Sequence, residues 1–273
     1  MKAFEIGAKE TIVFYLHGLR GHAFAQKNSL KHIVRNVGVS VVSLELPGHG
    51  TDSIEGHCMV PSYIEIVESI KQEVRQQSAR AEQVIFIGYS FGASLLSLAA
   101  SDLHKDSTFK PKVAGYIGIS TALDVGHNVQ PWKLALNRVV APMSKYLFEN
   151  IRPLSRLLTI REMSVALISS DLTVQNSIYH DDLVYKGRIP LYTSAQVYRC
   201  GLKAKLAINE MLIPVMLLHS LDDEIALAPD PEEFAQHVQV KLFKNLRHNC
   251  IDGLVREAVV ARRAITEFIA RKL

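Results

Sequence analysis

"VIFIGYSFGAS", residues 84–94, is the stretch that decides the fold. Val84 to Ile87 is an apolar run, Gly88-Tyr89-Ser90-Phe91-Gly92 interrupts it, and small and apolar residues then continue with helical character. A short apolar run ending at glycine suits a strand covered on both faces, and the residues after it suit a helix. Gly-x-Ser-x-Gly between the two marks a very sharp turn, in which the positions flanking the serine meet the neighbouring strand and helix and only glycine avoids a clash. Such a turn lifts Ser90 above the carboxyl edge of a sheet. It also puts the Phe91 N–H at a helix start, a site for developing negative charge.

Outward from this turn, further apolar runs alternate with helical patterns: 11–18, 39–50, 113–120, 213–220 and 238–243. Their alternation predicts an α/β fold, with a mostly parallel sheet flanked by helices. Ser62 with Glu65 matches a capping box, and Tyr63, Ile66, Val67, Ile70 and Val74 form one helical stripe behind it. Leu254, Ala258, Ala261, Ile265 and Phe268 predict a last helix packed on the sheet. About ninety residues separate the run at 113–120 from that at 213–220, too many for one crossover helix. They read as an inserted helical cap over 125–205, dividing the α/β core into 1–124 and 206–273.

Composition narrows the class. The 273 residues are 48% hydrophobic and 21% charged, the balance of a globular chain. No apolar run approaches the roughly 20 residues of a spanning helix, and "MKAFEIGAKE" carries no secretory pattern, so a cytoplasmic protein is expected. Cys58, Cys200 and Cys250 lie far apart without a Cys-x-x-Cys spacing, which predicts reduced thiols. The cap carries 11 Lys/Arg against 5 Asp/Glu. That imbalance fits a solvated basic surface or a transient contact with an anionic membrane surface. His-Glu-x-x-His, the phosphate-binding Gly-Lys-Ser/Thr loop and the dinucleotide fingerprint are missing from the sequence, so no metal, no cofactor and no nucleic-acid partner are expected.

A serine hydroxyl needs a base, and the base needs an orienting carboxylate. In this strand-turn-helix setting the order along the chain is serine, acid, histidine. "LDDEIA" follows the run at 213–220 and "KNLRHN" follows that at 238–243, so Ser90, Asp223 and His248 are the expected triad, with Asp222 as the rival acid. His237, inside a helix expected over "PEEFAQHV", His219 at a strand end and His49 in a turn are expected to order local backbone. "LHGLRG", residues 16–21, supplies the second anion-binding donor: His17-Gly18 turns the chain so that the Leu19 N–H faces Ser90, beside that of Phe91. His17 is then an organiser of its loop, as Gly18, Gly88 and Gly92 are of theirs.

With "LHGLRG", "LELPGHGTDS", "GYSFG", "IPVMLLHSLDDEI" and the late His248 in place, the chain resembles the α/β-hydrolase superfamily over essentially its full length. Within it, the chain is similar to the monoacylglycerol lipase, lysophospholipase and serine-aminopeptidase-like group. Residues 169–190 carry that likeness, with Asp171, Val174, Tyr179, Asp182, Leu183, Val184, Gly187 and Ile189 at the group's recurrent positions. The chain departs from the group at His219-Ser220 in place of His-Gly, at Asp181-Asp182 in place of Asp-Pro, and at Asn245-Leu246-Arg247-His248 in place of Gly-x-Gly-His.

The resemblance implies an acyl ester substrate with a medium or long chain. Trp132, Tyr146, Leu147 and Phe148 offer apolar surface for it, or simply pack the cap. A thioesterase or small-ester carboxylesterase would use the same triad. An aminopeptidase-like amidase would need cap carboxylates for a substrate ammonium, from among Glu149, Glu162, Asp171, Asp181 and Asp182, against the basic balance of that segment. A non-catalytic ligand receptor on the same fold is the remaining alternative.

Overall fold

Every apolar run picked out by the sequence becomes a strand. In this computed structural model, which describes residues 2–6, 10–35, 37–52, 58–124 and 164–273, these are β2 (Thr11–Leu16), β3 (Ser40–Leu44), β4 (Gln83–Tyr89), β5 (Lys112–Ile119), β6 (Val215–Ser220) and β7 (Val238–Phe243). An additional strand, β1 (Lys2–Ile6), pairs antiparallel with β3. The sheet order is β1-β3-β2-β4-β5-β6-β7, and β2 to β7 run parallel. β1 escaped the sequence reading because a five-residue edge strand needs only one partner and carries no long apolar run.

The described helices are α1 (Lys27–Val34), α2 (Tyr63–Gln77), α3 (Phe91–Lys105), α4 (Leu172–His180), α5 (Leu191–Glu210) and α6 (Arg256–Ala270). Alternate strand residues feed two separate cores, as a period of two requires. On β4, Val84 and Phe86 pack with α2, α3 and α5, while Ile85 and Ile87 pack with α1 and α6. Each of these side chains is fully buried, and burial of one such group stabilises the fold by about 1.5–3 kcal/mol. Both faces of β4 are therefore covered, which holds its carboxyl end rigidly.

Three local expectations change. Leu254 is 89% exposed and precedes α6, whose N-cap is Val255, because Gly253 at φ +90° turns the chain first. His237 lies in a turn: "PEEFAQHV" forms only a 3-10 turn at Pro231–Glu233, capped by Asp230, before β7 begins. The boundary set at 205 falls inside α5, a continuous helix whose Val197, Cys200, Ala204 and Ile208 join the core beside α3. Residues 125–163, with Trp132, Tyr146, Leu147, Phe148, Glu149 and Glu162, lie outside the described residues.

Candidate active site

Ser90 follows β4 and caps α3 with φ +54° and ψ −122°, a conformation L-residues adopt only under constraint. The constraint is steric and local. A Cβ on Gly88 would stand 2.2 Å from Ala93 Cα, and one on Gly92 would stand 2.2 Å from the His17 carbonyl oxygen. β2 and α3 therefore pass so close that no side chain fits. Gly18 faces the serine itself, since a Cβ there would lie 2.9 Å from Ser90 Cβ. The Ser90 N–H is fixed by the Ile119 carbonyl at 2.9 Å, and the Ser90 carbonyl accepts from Ala93 and Ala122.

His248 follows β7, and its Nε2 is 2.8 Å from Ser90 Oγ. Its Nδ1 is 2.7 Å from Asp223 Oδ2. Asp223 Oδ1 accepts the backbone N–H groups of Ile225 at 2.8 Å and Ala226 at 3.1 Å. Burial opposes ionisation of Asp223, but the His248 charge and the hydrogen bonds from His219 and His248 hold its carboxyl well below the usual carboxylate range. As an anion Asp223 can only accept, so His248 Nδ1 carries a proton and Nε2 is left to accept from the serine. Asp222 is turned away: its exposed carboxylate receives the Asn245 N–H at 2.6 Å.

His219 contributes more than backbone order. Its Nε2 lies 3.0 Å from Asp223 Oδ2 and 2.9 Å from the Ala226 carbonyl, so Nε2 is protonated and donates toward both acceptors. A position four residues before the acid, at the end of the same strand, was the signal available in sequence. Two of the residues that replace glycines of the resembled group, Ser220 and Asn245, have structural counterparts. Ser220 Oγ donates to the Leu246 carbonyl at 2.5 Å, tying the loop of Asp223 to that of His248. Asn245 adopts φ +60°, a left-handed conformation that asparagine tolerates better than most residues.

His17 is buried, with Nδ1 2.8 Å from the Gly18 carbonyl oxygen and Nε2 beside both the Leu46 nitrogen, at 3.1 Å, and a Glu45 carboxylate oxygen. It lies away from the proton path between Ser90 and Asp223. Beside it, burial followed by the His17 charge lowers the His49 pKa to about 3, so His49 is a neutral packing group. Leu19 and Phe91 both border the cavity that contains Ser90. As the first residue of α3, Phe91 has an N–H with no carbonyl in its own helix to reach.

That cavity is about 440 Å³ and largely apolar, with Val165, Leu167, Ile168, Ile178, Val184 and Ile189 in its lining. These six come from 164–189, and the same segment grips the loop that carries His248. The Leu167 and Ile168 carbonyls accept the N–H groups of His248 at 3.3 Å and Asn249 at 2.6 Å. Asp171 caps α4 through Thr173 N–H and accepts Leu254 N–H at 3.2 Å. Of the other positions that carried the resemblance, Tyr179 and Asp182 are exposed. Among the described residues, no group of three or more His, Cys, Asp or Glu side chains is placed to hold a metal, and no helix is long and apolar enough to cross a membrane.

Residues 7–252 match the hydrolase family described as serine aminopeptidase, S33. The chain belongs to that family of α/β-hydrolases. The fold of this S33 chain is shared with a monoacylglycerol lipase of Paleococcus ferrophilus, at 20% identity and a TM-score of 0.77 over 100% of this chain and 99% of that one. It is also similar to a soluble variant of monoglyceride lipase from Saccharomyces cerevisiae in complex with a substrate analogue, at 14% identity and a TM-score of 0.71 over 96% and 88% of the two chains. A thermostable carboxyl esterase of Bacillus coagulans in complex with glycerol gives 16% identity and 0.67, over 95% and 89%. At these identities the likeness of the S33 chain to each concerns the fold. No curated protein matches it in sequence.

Proposed function

We propose that this chain is a serine esterase that cleaves carboxylic esters with medium or long acyl chains, of the acylglycerol or lysophospholipid kind. The observation that carries the reading is the hydrogen-bonded series Ser90, His248, Asp223 opening into an apolar cavity of about 440 Å³, within the size range of small-molecule sites. The cap expected over 125–205 is part of the proposal, since its segment 164–189 supplies an apolar wall of that cavity.

In the first step Ser90 Oγ forms a bond to the ester carbonyl carbon while its proton passes to His248 Nε2. Asp223 holds the resulting imidazolium. The carbonyl oxygen becomes an anion facing the Leu19 and Phe91 N–H groups, a kind of contact worth about 2.7–4 kcal/mol in the transition state. Collapse breaks the bond to the alcohol oxygen, which leaves with the proton from His248. Water, deprotonated by His248, then releases the acid and restores Ser90.

The family's name, serine aminopeptidase, points to amide substrates with a free amino end. Such substrates need a carboxylate for the ammonium, and Glu224 is the one carboxylate among the described cavity-lining residues. It is engaged by Arg247. Asp171 and Asp181 are bound to backbone N–H groups, so ester cleavage is favoured. The test is hydrolysis of p-nitrophenyl esters from acetate to palmitate by wild type and Ser90→Ala. Ser90-dependent activity with an optimum at medium or long chains supports the proposal. Equal activity in the variant removes Ser90 from the reaction, and activity on aminoacyl amides alone replaces esterase by amidase.

A further inference from the structure

Beside the serine and histidine, two primary amides border the cavity: Gln26, from the turn before α1, and Asn249, next to His248. Both are buried, at 7% and 3% exposure, and the sequence reading passed over both. Their orientation is fixed from behind. Asp252 Oδ2 accepts from Asn249 Nδ2 at 2.7 Å and from Gln26 Nε2 at 3.4 Å, so each nitrogen must face that carboxylate.

The amide oxygens are engaged as well. Gln26 Oε1 accepts the Tyr15 hydroxyl at 2.7 Å, and Tyr15 keeps its proton because burial and the Asp252 charge push its pKa well above the usual phenol value. Asn249 Oδ1 accepts the N–H groups of Ile251 at 3.2 Å and Asp252 at 3.1 Å. Ser29 Oγ donates to Asp252 Oδ1, which holds the carboxylate in place. A primary amide has two N–H protons and an oxygen with two lone pairs. Among the described residues, the contacts therefore leave Asn249 its second N–H, and Gln26 its second N–H and one oxygen lone pair.

We propose that Gln26 and Asn249 form a polar subsite that recognises a neutral oxygen acceptor able also to donate, a hydroxyl, on the leaving alcohol of the ester. The inference rests on the esterase reading and adds to it the chemistry of the alcohol. The leaving oxygen must lie within reach of His248 Nε2 to receive its proton, and Asn249 adjoins that residue. A hydroxyl fits better than a phosphate, which only accepts and leaves the Gln26 lone pair unmatched, and the negative Asp252 stands directly behind both amides; Arg20 and Lys186 also line the cavity, where Arg20 donates to the Tyr185 carbonyl and Lys186 to the Asp181 carbonyl. A plain alkyl ester would leave two desolvated N–H groups unmatched, the kind of mismatch by which polar sites reject analogues lacking an oxygen.

The test compares three octanoate esters on the full chain: the glyceryl ester, the propyl ester with no further oxygen, and the glycerol-phosphate ester. The readout is the ratio of kcat/KM values, for wild type, Gln26→Met and Asp252→Asn. We expect wild type to favour the glyceryl over the propyl ester. Each substitution should cut that ratio roughly three- to tenfold, the loss of about one net hydrogen bond. The ratio cancels losses that affect both substrates equally, and two variants at different positions guard against one that fails to fold. A wild-type ratio near one, or a ratio unchanged in the folded variant, overturns the subsite. Preference for the glycerol-phosphate ester overturns the neutral acceptor. Labelling of wild-type Ser90 by a fluorophosphonate separates the two levels: a labelled protein that hydrolyses both neutral esters without discrimination loses only the subsite. A folded protein that is neither labelled nor active on any ester loses the esterase reading itself.

Discussion

Ser90 and His248 sit 2.8 Å apart but are held by different means. The serine is held by shape. It stands at the end of a strand buried on both faces, between glycines that no other residue could replace without meeting backbone at 2.2 Å. The histidine is held by polar contacts from distant segments: the Leu167 and Ile168 carbonyls, the Ser170 hydroxyl on Asn245, and Asp171 on Leu254. Steric constraint is insensitive to pH and is local in sequence. Hydrogen bonds from a segment about 80 residues earlier are neither, so the base side can loosen while the nucleophile side stays intact.

The largest effect tests whether the two sides meet in one reaction. Ser90→Ala should lower kcat by roughly four orders of magnitude or more with no loss of thermal stability, as measured by ester turnover and calorimetry. Asp223→Asn should lower kcat comparably, by about 10⁴-fold, because an amide no longer enforces the His248 tautomer. Asp222→Asn should change kcat less than about threefold, since nearby exposed substitutions have small effects. Equal effects at 222 and 223 would break the assignment of the acid.

On the nucleophile side, Gly92→Ala should destabilise by at least about 1–3 kcal/mol, the ordinary range for overpacking, because the new Cβ meets the backbone carbonyls of Leu16 and His17 rather than a flexible side chain. Urea unfolding measures it. On the base side, Asp171→Ala removes the cap of α4 and the Leu254 contact and should cost about 1 kcal/mol. Its distinguishing sign is faster amide exchange at 245–254 with unchanged exchange in β4.

Acid should separate the two sides most gently. Asp223 and Asp171 both have pKa values below the usual carboxylate range. For Asp223 burial is overcome by His248 and His219, and for Asp171 the Leu254 N–H leads. A carboxyl with a depressed folded pKa gives stability that is present above its unfolded value, about 3.9, and is lost as pH falls through the folded value. Hydrogen exchange below about pH 4 should therefore open residues 245–254 before the β4–α3 turn. Simultaneous opening would show that shape and polar contacts form one cooperative unit.

The sequence by itself determined the six parallel strands, the turn at Ser90 and the loops that carry Asp223 and His248. These depend on short-range patterns: apolar runs, two glycines around a serine, and acidic and histidine residues just past strand ends. It left Asp222 and Asp223 open because adjacent residues after a strand differ in direction, and direction is set by the Ile225 and Ala226 N–H groups that turn Asp223 inward. Only the tertiary structure decided the part played by His219, the grip of 164–171 on the base loop, and the Gln26, Asn249 and Asp252 cluster. Gln26 and Asp252 are 226 positions apart, and no local period or propensity encodes a contact that exists only once the α1 and α6 ends of the chain pack on the same face of the sheet.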